Sequence, residues 1–321
     1  MKQRILGLLA AAVACLCALA FSACSLIGLQ GEEENLLLQR NGDRTGYIVT
    51  GMKEERAEIT VPASYNGLPV LAFGEGAFRN NKILRSVSFA AGSRVEAVSS
   101  GAFEGCANLQ TIRLPDTVTA IGSRAFMYCT LLTRFTLPAG LEEVGADAFA
   151  GDHRLAEVYN LSSLDLADSA LAQSGIGRYA RVVHTAADAE SCLQTDAEGF
   201  LLFANEENDD YCVLGYTGGN KTPLSLPASV GGNSYVVAPY AFRGCFGWTE
   251  LTIPEAVTEI GICAFSDALV QSAVFEGTDS WDIYRNSEKI ATVAPAECTG
   301  YALAQYLMKD YEYCRWVRVS S

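Results

Sequence analysis

The feature that most constrains this chain is a short phrase that returns about every 23 residues. Its most constant part is an Ala-Phe pair, and the spacings between successive pairs are 25, 23, 23, 93 and 23 residues. A fixed period of this length predicts a solenoid, in which each repeat forms one coil and stacking of the coils supplies the core. The pairs are Ala77-Phe78, Ala102-Phe103, Ala125-Phe126, Ala148-Phe149, Ala241-Phe242 and Ala264-Phe265.

One repeat, "LQTIRLPDTVTAIGSRAF" (109–126), predicts how a coil is built. Ile112 and Leu114 alternate with Arg113, as a strand with one buried face requires. Gly122 is expected to permit a turn before the Ala-Phe pair. Hydrogen-bonded coils should lie about 4.8 Å apart, so that the phenylalanines of neighbouring coils stack in the interior. This interior stack is expected at Phe103, Phe126 and Phe149.

A second start of the pattern divides the folded part into two tandem cassettes, 45–185 and 186–275. Each cassette begins with an aromatic strand, a charged turn, a second strand and the sequence Pro-Ala-Ser. This order predicts a β-hairpin that caps the exposed end of each stack. The first cassette ends in a degenerate coil, in which Ala170-Leu171 stands where Ala-Phe is expected. The fold class predicted is therefore a mainly β solenoid.

The tail, 276–321, leaves the repeat pattern and is predicted to form a small α+β cap. Residues 311–319 alternate like a strand, and Trp281 and Trp316 are expected to cover the last coil. Helical spacing is found at Ala302, Leu303, Tyr306 and Leu307.

The first 24 residues predict export and lipid attachment. Lys2 and Arg4 precede an apolar run, which is typical of a secretory signal peptide (1–23). The sequence Phe21-Ser22-Ala23-Cys24 resembles the bacterial lipobox, which implies lipidation of Cys24 and a stable membrane anchor. The alternative is an ordinary signal peptide cut at another site. Residues 24–44 are interpreted as a tether.

Charge excludes one class of partner. The formal net charge is −14, and no basic stripe is present, which argues against nucleic acid because its binding depends on clustered Lys and Arg. The acidic block Asn205–Asp210 is interpreted as a solvated loop. A calcium loop is the alternative, but the block lacks the alternating spacing and glycine of an EF-hand.

The cysteines and histidines indicate no metal site, cofactor or catalytic centre. Cys106 and Cys129 each follow the repeat phenylalanine by three residues, and so does Cys245, which predicts a ladder of buried thiols. His153 and His184 are interpreted as surface or linker residues, since nothing suggests the convergence that a triad or zinc site requires. Two disulfides are possible in an exported protein and stay open here. They would join Cys192 to Cys212 and Cys298 to Cys314.

The phrases "LTIPEAVTEIGICAF" and "LQTIRLPDTVTAIGSRAFMYC", together with the hairpin and "LPASVGGNSY", resemble the BspA-like leucine-rich-repeat surface proteins of bacteria. The likeness covers most of the chain from about residue 45. It implies a curved, mostly parallel leucine-rich-repeat solenoid that is displayed outside the cell. It also implies a role in adhesion to host matrix or to other cells.

The leading hypothesis is a non-catalytic, lipid-anchored cell-surface protein whose solenoid face binds a protein or glycan. The strands leave three rows of outward residues free to vary. Arg113, Arg134 and Tyr159 are the predicted binding residues in these rows, because Arg and Tyr contribute strongly to binding hot spots. The alternative for all three is a solvated sheet face without a ligand.

Two other functions stay open at this point. A surface hydrolase acting on glycans would need two carboxylates across a cleft. The acidic residues inside the repeats instead occupy outward, variable positions. A structural spacer in the envelope would need no ligand at all.

Overall fold

The computed structural model describes residues 35–166, 173–219, 223–296 and 298–319. The lipobox with Cys24, most of the tether and the pair Ala170-Leu171 lie outside the described residues. The chain divides into two compact units. The described part of the first is 35–129, 136–150, 160–166 and 173–177, and that of the second is 130–135, 151–159 and the described residues from 178 onward.

Strands dominate both units, as the repeat pattern predicts. The strands up to the middle of the chain are β1 (Leu36–Arg40), β2 (Tyr47–Met52), β3 (Glu58–Val61), β4 (Ser64–Tyr65), β5 (Leu68–Phe73), β6 (Ser86–Phe89), β7 (Ala97–Val98), β8 (Thr111–Ile112), β9 (Ala120–Ile121), β10 (Arg134–Leu137), β11 (Glu143–Val144) and β12 (Glu157–Asn160). The elements that follow are α1 (Ile176–Tyr179), β13 (Val182–His184), β14 (Leu193–Thr195), β15 (Phe200–Asn205), β16 (Asp210–Tyr216), β17 (Leu224–Ser225), β18 (Tyr235–Val237), β19 (Phe246–Ile253), β20 (Val257–Ile260), β21 (Leu269–Phe275), β22 (Ser280–Arg285), β23 (Glu288–Val293), α2 (Gly300–Gln305), a π-helix (Tyr306–Asp310) and β24 (Arg315–Val319).

Parallel pairing of successive coils builds the first unit. One sheet has the order β1-β2-β5-β7-β9-β11, with β4 paired to β5, and a second has the order β3-β6-β8. Both are parallel from coil to coil, so equivalent residues lie beside one another, as Ala72 does with Ala97 and Ala97 with Ala120. The second unit holds a sheet with the order β14-β15-β16-β18-β20-β24-β22-β23 and another with the order β17-β19-β21. The mainly β solenoid is therefore confirmed.

The predicted phenylalanine stack is confirmed. Phe103, Phe126 and Phe149 are fully buried, and each successive pair of ring centroids is 5.3 Å apart with nearly parallel planes. Phe78 extends the stack by one ring at the same spacing. The second unit repeats the arrangement between Phe242 and Phe265 at 5.1 Å.

The residue before each Ala-Phe pair has a left-handed backbone conformation, with φ between 54° and 61°. Glycine adopts this conformation without steric cost, whereas other residues are strained by contact of Cβ with the backbone. Cys263, which stands before Ala264, therefore fills the same place in the turn as its counterparts in other coils. These positions are Gly76, Gly101, Arg124, Asp147, Tyr240 and Cys263.

Gly122 is required for a different reason from the predicted one. Its φ is not in the left-handed region. A Cβ at Gly122 would instead lie 2.6 Å from the backbone nitrogen of Ser100, and one at Gly261 would lie 2.5 Å from that of Pro239. The glycine therefore allows the backbones of two coils to approach closely.

The first hairpin lies earlier in the chain than predicted. It is formed by antiparallel pairing of β1 with β2, so residues 36–40, assigned to the tether, are a strand. The charged residues 53–56 connect β2 to β3, which belongs to another sheet. The second hairpin joins β15 to β16, and the acidic block forms its turn, in which residues 206–209 are exposed. The solvated-loop interpretation is confirmed for 206–209, whereas Asn205 is buried at the end of β15 and Asp210 forms an ion pair with Arg181.

The C-terminal cap has the two buried tryptophans that the sequence predicts. Trp281 and Trp316 are buried, and Trp281 stacks on Phe275 with a centroid distance of 4.5 Å. The predicted tail helix and strand are present as α2, the π-helix and β24.

In the degenerate coil, the carbonyl of Ser174 accepts the hydrogen bond from Phe149 N that an alanine accepts in other coils.

Candidate functional site

The outward face of β3, β6 and β8 in the first unit is polar and largely accessible. Ile59, Val87 and Ile112 point into the core from these strands, because alternate side chains face opposite sides. The hydroxyls of Thr60 and Ser88 lie 2.9 Å apart across neighbouring coils. Exposed side chains farther along this face are Arg85, Gln110, Thr111 and Arg113.

An open groove of about 520 Å³ runs beside Arg113. Its polar lining residues are Ser88, Ser93, Thr111, Arg113 and Asp116, of which Asp116 is the one acid and Ser93 has a buried hydroxyl. The apolar lining is Val87, Phe89, Ala90, Leu114 and Pro115, with Gly92. The groove is open rather than enclosed, so it offers a mixed polar and apolar surface to a partner rather than a closed pocket for a small ligand.

Arg113 is the predicted binding residue whose environment fits that role. It is exposed. Among the residues that the structure describes, it forms no ion pair. Its five N–H donors are therefore available to a partner, and a guanidinium matches planar acceptors such as carboxylates.

Tyr159 was predicted to be an exposed residue of an outward row, and the predicted exposure is wrong. Its exposed fraction is 7%. Its hydroxyl donates to the carbonyl of Ala189 at 3.4 Å, and its ring lies against His184 with a centroid distance of 4.5 Å. The chain from 189 onward lies over this part of the outward face, which the repeat pattern could not reveal.

Arg134 is partly exposed but already engaged. Its Nε donates to a carboxylate oxygen of Glu157 at 2.8 Å, and a terminal nitrogen donates to the hydroxyl of Ser191. The guanidinium also lies 5.6 Å from the ring centre of Tyr159. Because the Glu157 side chain has no exposed surface, this ion pair is largely desolvated on the carboxylate side. Arg134 therefore stabilises a buried acid and is not free for a partner.

Glu157 brings together two residues that the sequence analysis kept apart. Donor atoms of Glu157, His184 and Cys192 all lie within 4.8 Å of one another. His184 Nε2 is 3.6 Å from Glu157 Oε1 and forms no hydrogen bond within the described ranges, although it is buried. His184 is thus an interior residue with 12% of its side chain exposed, not a surface or linker histidine.

The sequence gives little signal for this cluster. Its members are separated by 27 and 8 positions, from 157 to 184 and from 184 to 192, and no known spacing motif joins them. Burial, and next the charge of Glu157, raise the pKa of the Cys192 thiol. A raised thiol pKa disfavours the thiolate that a cysteine nucleophile needs, so the arrangement does not favour nucleophilic catalysis.

The predicted thiol ladder is confirmed at Cys106 and Cys129, which are fully buried. Their thiols donate to the carbonyls of Phe78 and Phe103 at 3.0 and 3.3 Å. Burial raises the pKa of Cys106 to about 12. The eight cysteines from Cys106 onward are all thiols in this structure, including the four for which disulfides stayed open.

His153 is half-buried between two aromatic rings, those of Tyr179 and Tyr240, at centroid distances of 4.7 and 4.8 Å. Burial, and to a smaller extent the charge of Arg178, lower its pKa.

Among the described residues, no helix is long and apolar enough to cross a membrane.

Comparison with known proteins gives one family and several structures of related fold. The family described as BspA type leucine rich repeat region matches in six copies over residues 58–175 and 228–286, more than half of the chain. No curated protein matches the sequence.

Three solved structures illustrate the likeness. A leucine-rich-repeat protein of T. pallidum is 23% identical, with a TM-score of 0.31 over 39% of this chain and 68% of that one. A leucine-rich cell surface protein from Faecalibacterium prausnitzii is 19% identical, with a TM-score of 0.26 over 73% of each chain. A leucine-rich-repeat protein from Bacteroides ovatus is 15% identical, with a TM-score of 0.30 over 76% of this chain and 70% of that one.

Proposed function

The chain belongs to the BspA-type leucine-rich-repeat family, and from that premise we propose that it is a non-catalytic protein of the bacterial cell surface. Lipid on Cys24 attaches it to the membrane, and the outward face of β3, β6 and β8 binds an extracellular protein or glycan. The observation that carries the binding proposal is the groove beside Arg113, an exposed arginine that forms no ion pair with the residues that the structure describes.

The chemistry of the groove indicates what it binds. Arg113 offers charge-assisted hydrogen bonds to a carboxylate or sulfate, and the neighbouring hydroxyls of Ser88 and Thr111 both donate and accept. Phe89 supplies an aromatic surface in the same lining. Hydroxyls, a guanidinium and an aromatic ring together suit an acid-bearing glycan or an acidic, polar protein segment.

The same groove argues for binding without catalysis. Glycosidases of the common type use two carboxyl groups that flank the scissile bond. The lining holds one carboxylate, Asp116, and no histidine or cysteine. The groove therefore lacks the acid-base pair that the alternative function, a glycan hydrolase, requires.

Adhesion of cells that display the full chain tests the binding proposal. We expect Arg113→Ala to weaken attachment to a ligand found in a panel of matrix proteins and glycans by about tenfold or more, which corresponds to about 1.4 kcal/mol. Arg113→Lys should recover only part of the loss, because an ammonium cannot form the paired hydrogen bonds of a guanidinium.

Arg85→Ala is the matched control. It removes the same charge from an exposed position of the preceding coil, outside the groove, and should change attachment less than twofold. Equal attachment of the Arg113→Ala and unaltered chains would contradict the assignment. Failure of the displayed chain to hold any member of the panel would favour the envelope spacer instead.

Fractionation tests the anchor separately. Cys24→Ala has no thiol to which lipid can be attached through a thioether. This variant should therefore lose metabolic labelling with fatty acid and leave the membrane fraction. Retained labelling in Cys24→Ala would contradict lipidation at this residue, whatever the outcome for Arg113.

A further inference from the structure

The cluster of Glu157, His184 and Cys192 is a set of metal-binding side chains that the proposed binding function does not use. The three residues come from the start of β12, the end of β13 and the segment before β14. They offer one oxygen, one nitrogen and one sulfur, with all three donor atoms within 4.8 Å of one another.

The separation of the oxygen and nitrogen donors is close to that of two ligands around a tetrahedral ion. Zinc binds oxygen and nitrogen at about 2.0–2.1 Å, which places two such ligands about 3.3 Å apart in a tetrahedron. His184 Nε2 and Glu157 Oε1 are 3.6 Å apart. A shift of a few tenths of an ångström would therefore bring both into a zinc coordination shell.

Glu157 is oriented for this role by its own partners. Arg134 Nε donates to Oε2 at 2.8 Å, and the Cys192 backbone N–H donates to Oε1. The Ser191 hydroxyl lies within hydrogen-bond distance of both oxygens but has a single proton to donate. Oε1 keeps a lone pair for a metal when the Ser191 proton is donated to Oε2, and hydrogen bonds to a ligating carboxylate are the usual support of a metal site.

His184 is the second candidate ligand. Its Nε2 is buried and makes no hydrogen bond within the described part of the chain, which is costly for a polar atom. The ring is held against Tyr159. Coordination would satisfy Nε2, provided that the imidazole proton is on Nδ1.

We propose that Glu157, His184 and Cys192 bind one divalent transition-metal ion of the zinc type, with the fourth position open to water. Mixed oxygen, nitrogen and sulfur donors suit zinc, whereas calcium and magnesium prefer six or more oxygen ligands. As the sulfur-metal bond forms, the Cys192 thiol gives its proton to solvent. The ion joins the segment before β14 to β12 and β13, within the second unit.

A cobalt and zinc titration of the full chain in detergent, freed of metal by a chelator, tests the site. We expect one equivalent of Co²⁺ to bind with a thiolate-to-cobalt charge-transfer band and with the strong visible bands of tetrahedral cobalt. One equivalent of Zn²⁺ should displace it and raise the Tm, because a metal that binds the folded state stabilises that state. Absence of the charge-transfer band at one equivalent would overturn the proposal.

Ligand variants separate coordination from a merely structural role. Cys192→Ser and His184→Ala should each lower the zinc affinity by at least about 100-fold, more than is typical for loss of an outer partner. Cys192→His supplies a nitrogen in place of sulfur, and should bind cobalt without the charge-transfer band. If Cys192→His still binds one equivalent of cobalt but lacks the charge-transfer band, altered packing alone cannot be the cause.

The controls are residues of the same type outside the cluster. Cys245→Ser removes another partly buried thiol, and His153→Ala removes the other histidine, so both should bind cobalt as the unaltered chain does. Loss of the band in Cys245→Ser, or unchanged affinity in Cys192→Ser, would overturn the assignment. If Cys192→Ser fails to fold, Cys192→His decides: cobalt bound without the band supports the site, and no bound cobalt overturns it.

Discussion

The coil that contains β8 and the coil that contains β12 have equivalent outward positions but opposite environments. Thr111 and Arg113 are exposed. Glu157 and Tyr159 stand at the corresponding places of the later coil, with exposed fractions of 0% and 7%. The repeat therefore specifies which side chains point outward, but not whether that direction leads to solvent.

The cause of the difference is contact with a distant part of the same chain. Tyr159 donates a hydrogen bond to the carbonyl of Ala189. Glu157 accepts hydrogen bonds from the Ser191 hydroxyl and the Cys192 N–H. Outward residues of this coil thus contribute to folding, whereas Thr111 and Arg113 stay exposed. Four predictions test this contrast, in order of decreasing effect.

Loss of the Glu157 carboxylate should have the largest effect. Glu157→Ala leaves Arg134, the Ser191 hydroxyl and the Cys192 N–H without their acceptor, and should lower the free energy of unfolding by about 3–5 kcal/mol. Thr111→Ala, at the equivalent exposed position, should change it by less than about 0.5 kcal/mol. Urea denaturation of both variants measures the contrast, and equal losses would show that the two environments do not differ.

Truncation of Tyr159 should come second. Tyr159→Ala removes the ring that packs on His184 and lies beside Arg134, at a cost of about 3 kcal/mol in unfolding free energy. Tyr159→Phe keeps the ring and loses only the bond to Ala189, so its cost should be about 1 kcal/mol. A larger loss in Tyr159→Phe than in Tyr159→Ala would be inconsistent with this packing.

Removal of the Ser191 hydroxyl should have an intermediate effect. Ser191→Ala deletes a hydroxyl that accepts from Arg134 and donates to Glu157, and should lower the unfolding free energy by about 1–2 kcal/mol. Ser88→Ala in the open face serves as the comparison, since the exposed Ser88 contacts only the neutral Thr60 hydroxyl and Ile59 carbonyl, and its loss should cost less than about 1 kcal/mol. Thermal unfolding followed by circular dichroism distinguishes the two serines.

Arg113→Ala should have the smallest effect on folding, within about 0.5 kcal/mol in either direction. Its side chain is exposed, and no ion pair within the described residues depends on it. The same variant is expected to weaken ligand attachment, so stability and binding should separate at this residue. A marked loss of stability would place Arg113 in the same class as Arg134.

The fold was predictable where it depends on local order and on the repeat period. The positions of Phe103, Phe126 and Phe149 follow from a spacing of 23 residues, and the thiols of Cys106 and Cys129 follow from their place in the frame. The first hairpin was misplaced because the charged residues 53–56 have the composition of a turn. In the structure they connect β2 to β3, which belong to two different sheets.

The candidate site was predictable only in part, because burial of an outward residue is a tertiary property. Arg113 stayed exposed, but Tyr159 was covered by a segment some 30 positions later in the chain. The convergence of His184 and Cys192 on Glu157 likewise depends on the path of that segment. No periodicity in the sequence encodes such a path.

The buried thiols give each unit an internal chemical reporter of opening. Cys106 and Cys129 belong to the first unit and Cys212 to the second, and all three have no exposed surface. A thiol reagent needs a solvated thiolate, so it reacts with these residues only during excursions that open the surrounding coils. Labelling rates at Cys106 and Cys212, measured in the same sample, would therefore time the opening of the two units without any engineered cysteine.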